Sequence, residues 1–424
     1  MKKITFIAIC LFMAVACNNE PQKPAEVSQS ATPVSPAGFS SSEVEPYPSP
    51  VEDLVPIPAA PVAADQSQSP DLTAYPSRTQ VMYTSEDDVK KRGESVFLTA
   101  ANAELTGEKN IAYAAAFQIA WDTLIEKIVK EKIQLEGNPR LAQILNAGTI
   151  SKKDLSEKDY FTDAGFKKDG IEQRVRDGLK KKFNTEPIND IRLGHPEDIL
   201  AYAYLYKNIR FEPKFEREHN FSFFPAGGRP QRVEAFGLKS YKPHDKIQAE
   251  TAKNIKINYY TAASFVVTIR AKDSEDEIIF ALIPREETLG AAIKKALSLR
   301  KENTDMAEDD SLLIPEIRFD VTEEYKELYK VVLNSISGLP PRSYKITKAL
   351  QTVKFDMDYE GVKLIAEAVI GMSGAAGPGA PRPQPKFMHF NRPFLLMMKE
   401  KDGQNPYFAL WVENEKILTN YKRI

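Results

Sequence analysis

The sequence reads as strands and helices that present one long exposed loop, and three observations lead there. Residues 353–358 alternate apolar Val353, Phe355 and Met357 with Lys354, Asp356 and Asp358, the period-2 pattern of a strand with one buried and one wet face. Residues 171–183 read as a basic helical stretch, and an earlier helix is expected near 138–147. Between the alternating strand and an apolar strand at 394–398 lies a Gly/Ala/Pro stretch, 371–385, whose composition cannot pack a core.

At the N-terminus Lys2 and Lys3 precede an apolar run over 4–15, with small Ala16 before Cys17: the charged, hydrophobic and cleavage regions of a secretory signal. Ala14-Val15-Ala16-Cys17 resembles the bacterial lipobox, although Ala14 stands where Leu is commoner. The run is too short to span a bilayer, so the expectation is a leader over 1–16, lipidation of Cys17, and a bacterial membrane-anchored lipoprotein on the periplasmic or cell-surface side. Cys10 would leave with the leader, and no structural disulfide, cysteine metal site or thiol nucleophile would remain. Residues 17–84 are the lipidated cysteine and a tether dense in Pro, Ser, Ala and Gln, which cannot bury enough surface to offset its ordering entropy. Residues 85–424 are expected to form one folded domain without internal repeats.

Composition narrows the function. The net charge of −2 becomes about −4 without Lys2 and Lys3, and the two signs are interspersed, so no nucleic-acid surface is expected. Lys180, Lys181 and Lys182, the sharpest basic run, read as the solvated face of a helix. Gly-x-Ser-x-Gly, Walker and His-Glu-x-x-His motifs are absent, and His195, His219, His244 and His389 are scattered singly. The acid clusters at 273–277 and 308–310 read as solvated turns before apolar strands, and the glycine-rich 374–379 precedes no helix start that could cradle a phosphate. No catalytic residue, metal or cofactor is expected, and the chain does not read as an enzyme.

After the strand at 353–358 comes the step Glu360-Gly361, and then Val362, Leu364, Ala366 and Ala368 share one parity while Lys363 and Glu367 share the other. A second strand is therefore expected, followed by the loop and by Phe390-Asn391-Arg392-Pro393-Phe394. This order resembles the serpins, whose loop is bait for a protease. Other blocks resemble the same family in the same order: residues 107–120 its first buried helix, 200–216 its central strand, 278–284 a buried strand, 312–328 a strand leading into a helix start, and 407–414 its last strand. The resemblance implies an α+β domain with a large, mainly antiparallel sheet holding both 200–206 and 351–358, a second sheet packed behind it, helices in the N-terminal half, and an exposed reactive-centre-like loop.

The resemblance further implies a monomeric suicide inhibitor of a serine or cysteine protease acting through residues 361–390. After cleavage, the segment from Val362 would insert into the main sheet with Leu364, Ala366 and Ala368 inward. Counting forward from Gly361 places the scissile bond at Ala375-Ala376; counting back from Pro393 places it near Arg382, which Pro383 follows, and Met372-Ser373 is a further alternative. Arg382 would suit a trypsin-like target, and Ala375 or Met372 an elastase- or subtilisin-like one. The chain also departs from the family. The polar cluster under the opening sheet is replaced by Ala114, Ala115, Phe117, Tyr202 and Gln351, and residues 147–171 are too few for every helix and edge strand. The hinge carries bulky Leu364 and Ile365, for which overpacking of roughly 1–3 kcal/mol is expected. A non-inhibitory surface lipoprotein used for binding or display is the alternative.

Overall fold

The structure, a computed structural model, describes residues 8–12, 86–100, 102–148, 150, 154–271, 275–328, 330–333, 344–362 and 384–421. Residues 1–19 and 84–424 cluster as one unit and 20–83 as another. In chain order the elements are β1 (Ala8–Phe12), α1 (Glu86–Gly93), β2 (Val96–Thr99), β3 (Asn110–Ala114), α2 (Ala116–Leu124), α3 (Arg140–Ala147), β4 (Tyr160–Phe166), α4 (Ile171–Phe183), β5 (Ile199–Leu205), β6 (Ile209–Arg210), β7 (Glu216–Phe223) and β8 (Gln231–Leu238). There follow α5 (Lys246–Lys253), β9 (Ile255–Tyr260), β10 (Phe265–Arg270), β11 (Asp276–Leu282), α6 (Leu289–Leu299), β12 (Ser311–Pro315), β13 (Ile317–Glu324), β14 (Ala349–Met357), β15 (Gly361–Val362), β16 (Phe387–His389), β17 (Phe394–Glu400) and β18 (Phe408–Val412). Four of these six α-helices end before residue 184.

Three larger sheets organise the domain: a five-stranded sheet β13-β14-β1-β5-β4, a seven-stranded sheet β2-β3-β18-β17-β11-β10-β9, and a four-stranded sheet β16-β12-β8-β7. Every pairing in the first is antiparallel. The expected fold class therefore holds, with β5 and β14 in one sheet, although the sheet expected to be secondary has more strands. The apolar run read as a leader supplies β1, antiparallel to both β14 and β5, so that β5 and β14 run parallel to each other one strand apart. Aromatic stacking ties the sheets together: the Phe355 ring lies 5.7 Å from Phe319 and 4.7 Å from Phe408 on β18.

The opposite face of the five-stranded sheet is covered by α4. Ile171, Val175 and Leu179, spaced to share one helix face, bury against Leu200, Tyr202 and Tyr204 of β5 and Leu350 of β14. Gly178 permits the approach, because a Cβ there would lie 2.2 Å from the Phe161 ring on β4. Between α3 and α4 the described residues form one strand, β4, at the sheet edge, and only short 3₁₀ turns besides.

Two expectations need correction. Residues 112–114, read with the first buried helix that follows Lys109-Asn110-Ile111, belong instead to β3, because its backbone pairs with both β18 and β2, and the helix starts only at Ala116. The acid clusters are not wholly solvated turns. Asp276 and Glu277 lie on β11, buried, and Glu277 meets Arg270 at 2.8 Å, Arg300 at 2.7 Å and Lys399 at 3.5 Å. These cations outweigh the burial that would raise the Glu277 carboxyl and hold it below the usual range. Asp310 is also buried and accepts the backbone N–H groups of Ala307 at 2.9 Å and Lys386 at 2.7 Å.

Candidate functional site

The gap between β5 and β14 is walled differently on its two faces. Towards the main core it presents Ala201 and Ala203 from β5 and Ala349, Gln351 and Val353 from β14; towards α4 it presents Tyr202, Tyr204 and Leu350. This alternation follows from strand geometry, since neighbouring residues point to opposite faces. Opposite β1, the registers place Ile9 between Gln351 and Ala203, Cys10 between Leu350 and Tyr202, and Leu11 between Ala349 and Ala201.

Beneath the gap sits a compact polar knot. Gln351, fully buried, donates from Nε2 to the Ala114 carbonyl at 3.0 Å and accepts the Tyr325 hydroxyl at Oε1. Burial pushes the Tyr325 hydroxyl well above the usual phenol range, and its ring meets Phe117 edge-on at 4.4 Å. Of the residues expected at this place, Ala114, Phe117 and Gln351 come together, Ala115 lies buried beside them in the chain, and Tyr202 faces α4 instead. Tyr325 was not anticipated; its one signal is its place at the end of the alternating β13 segment.

The β5 wall has its own anchor. Lys207, just past β5, is 5% exposed and meets Asp276 at 2.7 Å, Asp159 at 2.8 Å and Glu400 at 3.1 Å, while the Tyr407 hydroxyl donates to Asp276 at 3.0 Å. Burial works against the ammonium, but the charges of Asp276 and Asp159 outweigh it and hold Lys207 above the usual lysine range. One cation shared among three carboxylates does not fully compensate each, and burial leaves Asp159 raised.

At the end of β14 the chain turns through Asp358 into the predicted hinge. Glu360 donates its N–H to Asp358 Oδ1 at 2.8 Å, and Gly361 donates to the Asp358 carbonyl at 3.1 Å. Gly361 and Val362 then pair with Arg210 and Ile209 of β6. Gly361 has φ +110° and a Cβ there would lie 2.4 Å from the Phe211 nitrogen, so the position requires glycine. The Phe211 N–H donates to the Glu360 carbonyl at 3.2 Å and the Phe215 N–H to that of Tyr359 at 3.1 Å. Lys214 bridges to Glu360 at 2.7 Å, a hydrogen bond that raises the lysine.

A row of acids lies beside the hinge. Glu316 is pushed up to about 7 by burial, with Asp358 and Glu234 adding negative potential and Arg217, 3.3 Å away, opposing them. The Arg217 guanidinium also lies 4.5 Å over the Tyr359 ring. Asp356 is raised by burial in spite of Arg318 at 2.6 Å.

Of the predicted site residues, Glu360, Gly361 and Val362 are placed by these contacts. Leu364, Ala366, Ala368, Met372, Ser373, Ala375, Ala376, Arg382 and Cys17 lie outside the described residues. Beyond the loop the chain joins the four-stranded sheet, β16 running parallel to β12 and the Ser311 N–H donating to the Lys386 carbonyl at 2.8 Å. The segment 363–383 is thus held at its two ends by two different sheets.

No family model matches the sequence, and no curated protein matches it. Among solved structures, the chain is similar to Serpin48 of the insect Tenebrio molitor, at 13% identity, 72% of this chain, 92% of that one and a TM-score of 0.41. It is similar to thyroxine-binding globulin in complex with thyroxine, at 12% identity, 73% and 94% coverage and a TM-score of 0.41. It is also similar to native protease nexin-1 with heparin, at 13% identity, 72% and 93% coverage and a TM-score of 0.42.

Proposed function

We propose that the chain is a serpin-like protease inhibitor that acts as a suicide substrate for a serine or cysteine protease, presenting residues 361–390 as its bait. One observation carries the reading: the loop begins at Gly361, at the end of β14, beside a gap whose walls run parallel and accept a strand antiparallel to both. A segment released by cleavage could enter that gap by strand addition. The hinge latch on β6, with the Lys214–Glu360 bridge, holds the start of the loop at the mouth of the gap. In this reading the protein does no chemistry of its own. It is a monomer tethered by lipid at Cys17 to a bacterial membrane, on the periplasmic or cell-surface side, by way of residues 17–84.

Incubation with elastase-, subtilisin- and trypsin-like proteases tests the inhibitor directly. An SDS-stable covalent complex is expected, with cleavage at Ala375-Ala376, and simple proteolysis with no complex would defeat the reading. A binding or display role without inhibition is the alternative; an unchanged unfolding temperature after nicking within 371–385 would favour it. For the anchor, Cys17→Ser should release the chain from membranes or block its processing, and unchanged membrane association of an unlipidated chain would exclude it.

A further inference from the structure

β4 is an outer strand of the five-stranded sheet, and among the described strands it pairs with β5 alone. The ladder continues past both of its ends, where the Tyr206 N–H donates to the Asp159 carbonyl at 2.8 Å and the Lys167 N–H to the Asp198 carbonyl at 2.9 Å. In an antiparallel pair, residues that exchange hydrogen bonds alternate with residues that turn theirs away. Since Asp159 and Lys167 both bond to the neighbouring strand, Tyr160, Thr162, Ala164 and Phe166 direct their backbone N–H and C=O groups outward. Such an edge is a template for another strand. Two other outer strands are covered by the chain itself. Ile257 of β9 exchanges hydrogen bonds with Thr304 at 2.8 and 3.0 Å, and the end of α1 lies so close on β13 that a Cβ at Gly93 would meet the Asp320 carbonyl oxygen at 1.9 Å.

At β4 the covering is made of side chains. Lys182, in the last turn of α4, donates from Nζ to the Tyr160 carbonyl at 2.5 Å and also to the Glu157 carbonyl. Arg174 of the same helix places Nη2 3.4 Å from the Ala164 carbonyl and Nε 3.0 Å from Asp163 Oδ2. The Asp163 carboxylate accepts the Ala164 N–H at 2.8 Å, and Lys127, in the π-helical turn after α2, holds it at 2.7 Å. Burial works against this carboxylate, but hydrogen bonds from Lys127 and Arg174 outweigh it and keep it below the usual range. Gly165 makes room, because a Cβ there would lie 2.5 Å from Arg174 Nη2. Three outward backbone groups are thereby taken by side chains, and the edge carries three cations against one carboxylate.

We propose that Lys182, Arg174 and Asp163 form a clasp that closes the β4 edge to strand addition, and that the occupant it excludes is the β4 of a second copy of this chain. The edge is the same on both copies, so a two-fold axis across it would pair the outward groups of one with those of the other. With the clasp in place the Tyr160 and Ala164 carbonyls already hold cations, and two copies would set like charges face to face. The clasp operates whether or not the loop inhibits a protease.

The full chain carrying Arg174→Met and Lys182→Met tests the clasp, since Met keeps an apolar stem while both cations are removed. In sedimentation equilibrium the double variant should associate more tightly than the unaltered chain, by roughly tenfold or more in dissociation constant. Amide hydrogen exchange locates the contact: on association, exchange at Thr162 and Phe166 should slow by about tenfold or more. A double variant that associates no more tightly than the unaltered chain, or that associates with those amides as open as before, would overturn the proposal. So would an unaltered chain that protects them itself when concentrated. Should the double variant not fold, Lys182→Met alone leaves the Asp163 ion pairs in place and should associate in the same way, more weakly. Lys182→Arg, which restores a donor, should not. Failure of Lys182→Met to associate, or equal association by Lys182→Arg, would overturn the clasp equally.

Discussion

Gln351 lies at the centre of the gap and holds its floor, which makes it the most informative residue to remove. Gln351→Leu keeps the volume but withdraws a donor from the Ala114 carbonyl and an acceptor from the Tyr325 hydroxyl, both buried. An orphaned buried group costs about 1–3 kcal/mol, and a carbonyl keeps a second lone pair and falls at the low end, so the total loss should be roughly 2–4 kcal/mol. Tyr325→Phe removes one bond and leaves only the Gln351 oxygen wanting, at about 1–2 kcal/mol. In the double variant the hydroxyl no longer exists to be orphaned, so the losses should fall short of their sum by about 1 kcal/mol. Urea unfolding of the four proteins measures this through the midpoint, provided the slope is unchanged. Additivity within about 0.5 kcal/mol would show that the two side chains act independently and that the knot is not a unit.

Gly361→Val, at φ +110° and with a backbone nitrogen 2.4 Å from the new Cβ, should unpair β15 from β6 at a cost of about 1–3 kcal/mol; unchanged hydrogen exchange at the Phe211 amide would refute this. Gly178→Leu should lift α4 from β4 and expose the Tyr202 and Tyr204 face at a cost of about 1–3 kcal/mol, and an unaltered near-UV circular dichroism spectrum with unaltered stability would contradict it. Lys214→Ala should cost under about 1 kcal/mol, because both partners of the bridge, 55% and 36% exposed, are largely screened by water; a larger loss would mean the latch depends on that charge. Glu316, raised from 4.5 to about 7, favours the folded state while protonated, so its contribution is complete below about pH 4.5 and is lost as pH rises through 7, by about 3 kcal/mol at pH 8. Glu316→Gln should flatten that part of the stability–pH curve, and a curve of unchanged slope would show that Glu316 does not titrate there.

The strands were legible where one face is wet. β14 alternates charge with apolar side chains, and its period gave its place and parity at once. β5 is buried on both faces, and its ordering signal is size, alanine towards the core and tyrosine towards α4, which hydropathy does not register. The end of β3 was read as helix because Ala112, Tyr113 and Ala114 fit either element when everything around them is buried, and only pairing with β18 decides. The hinge glycine was visible from its neighbours. The polar knot and the Lys207 cluster were not, because their members come from remote parts of the chain and only the fold brings them together. Asp276 and Glu277 misled for the same reason, their partners being invisible to a local reading.

The two walls of the gap are anchored independently, and this bears on which state the sheet favours. β14 is fixed from below by the Gln351–Ala114 hydrogen bond and by the stack of Phe355 on Phe408, and the β5 wall by Lys207 bound to Asp276 and Glu400. All of these partners belong to the seven-stranded sheet or its end strands. Were the gap to close, β5 and β14 would have to approach by one strand spacing, about 4.8 Å, and contacts of 2.7–3.1 Å on at least one wall could not follow. Leu350 and Tyr202, packed into one cluster with α4 across the gap, would also collide or part. The anchors therefore hold the walls at the width of an occupied sheet, and an empty gap would leave two rows of backbone N–H and C=O groups without partners. Were β1 absent, that unpaired backbone would favour a further strand taking its place.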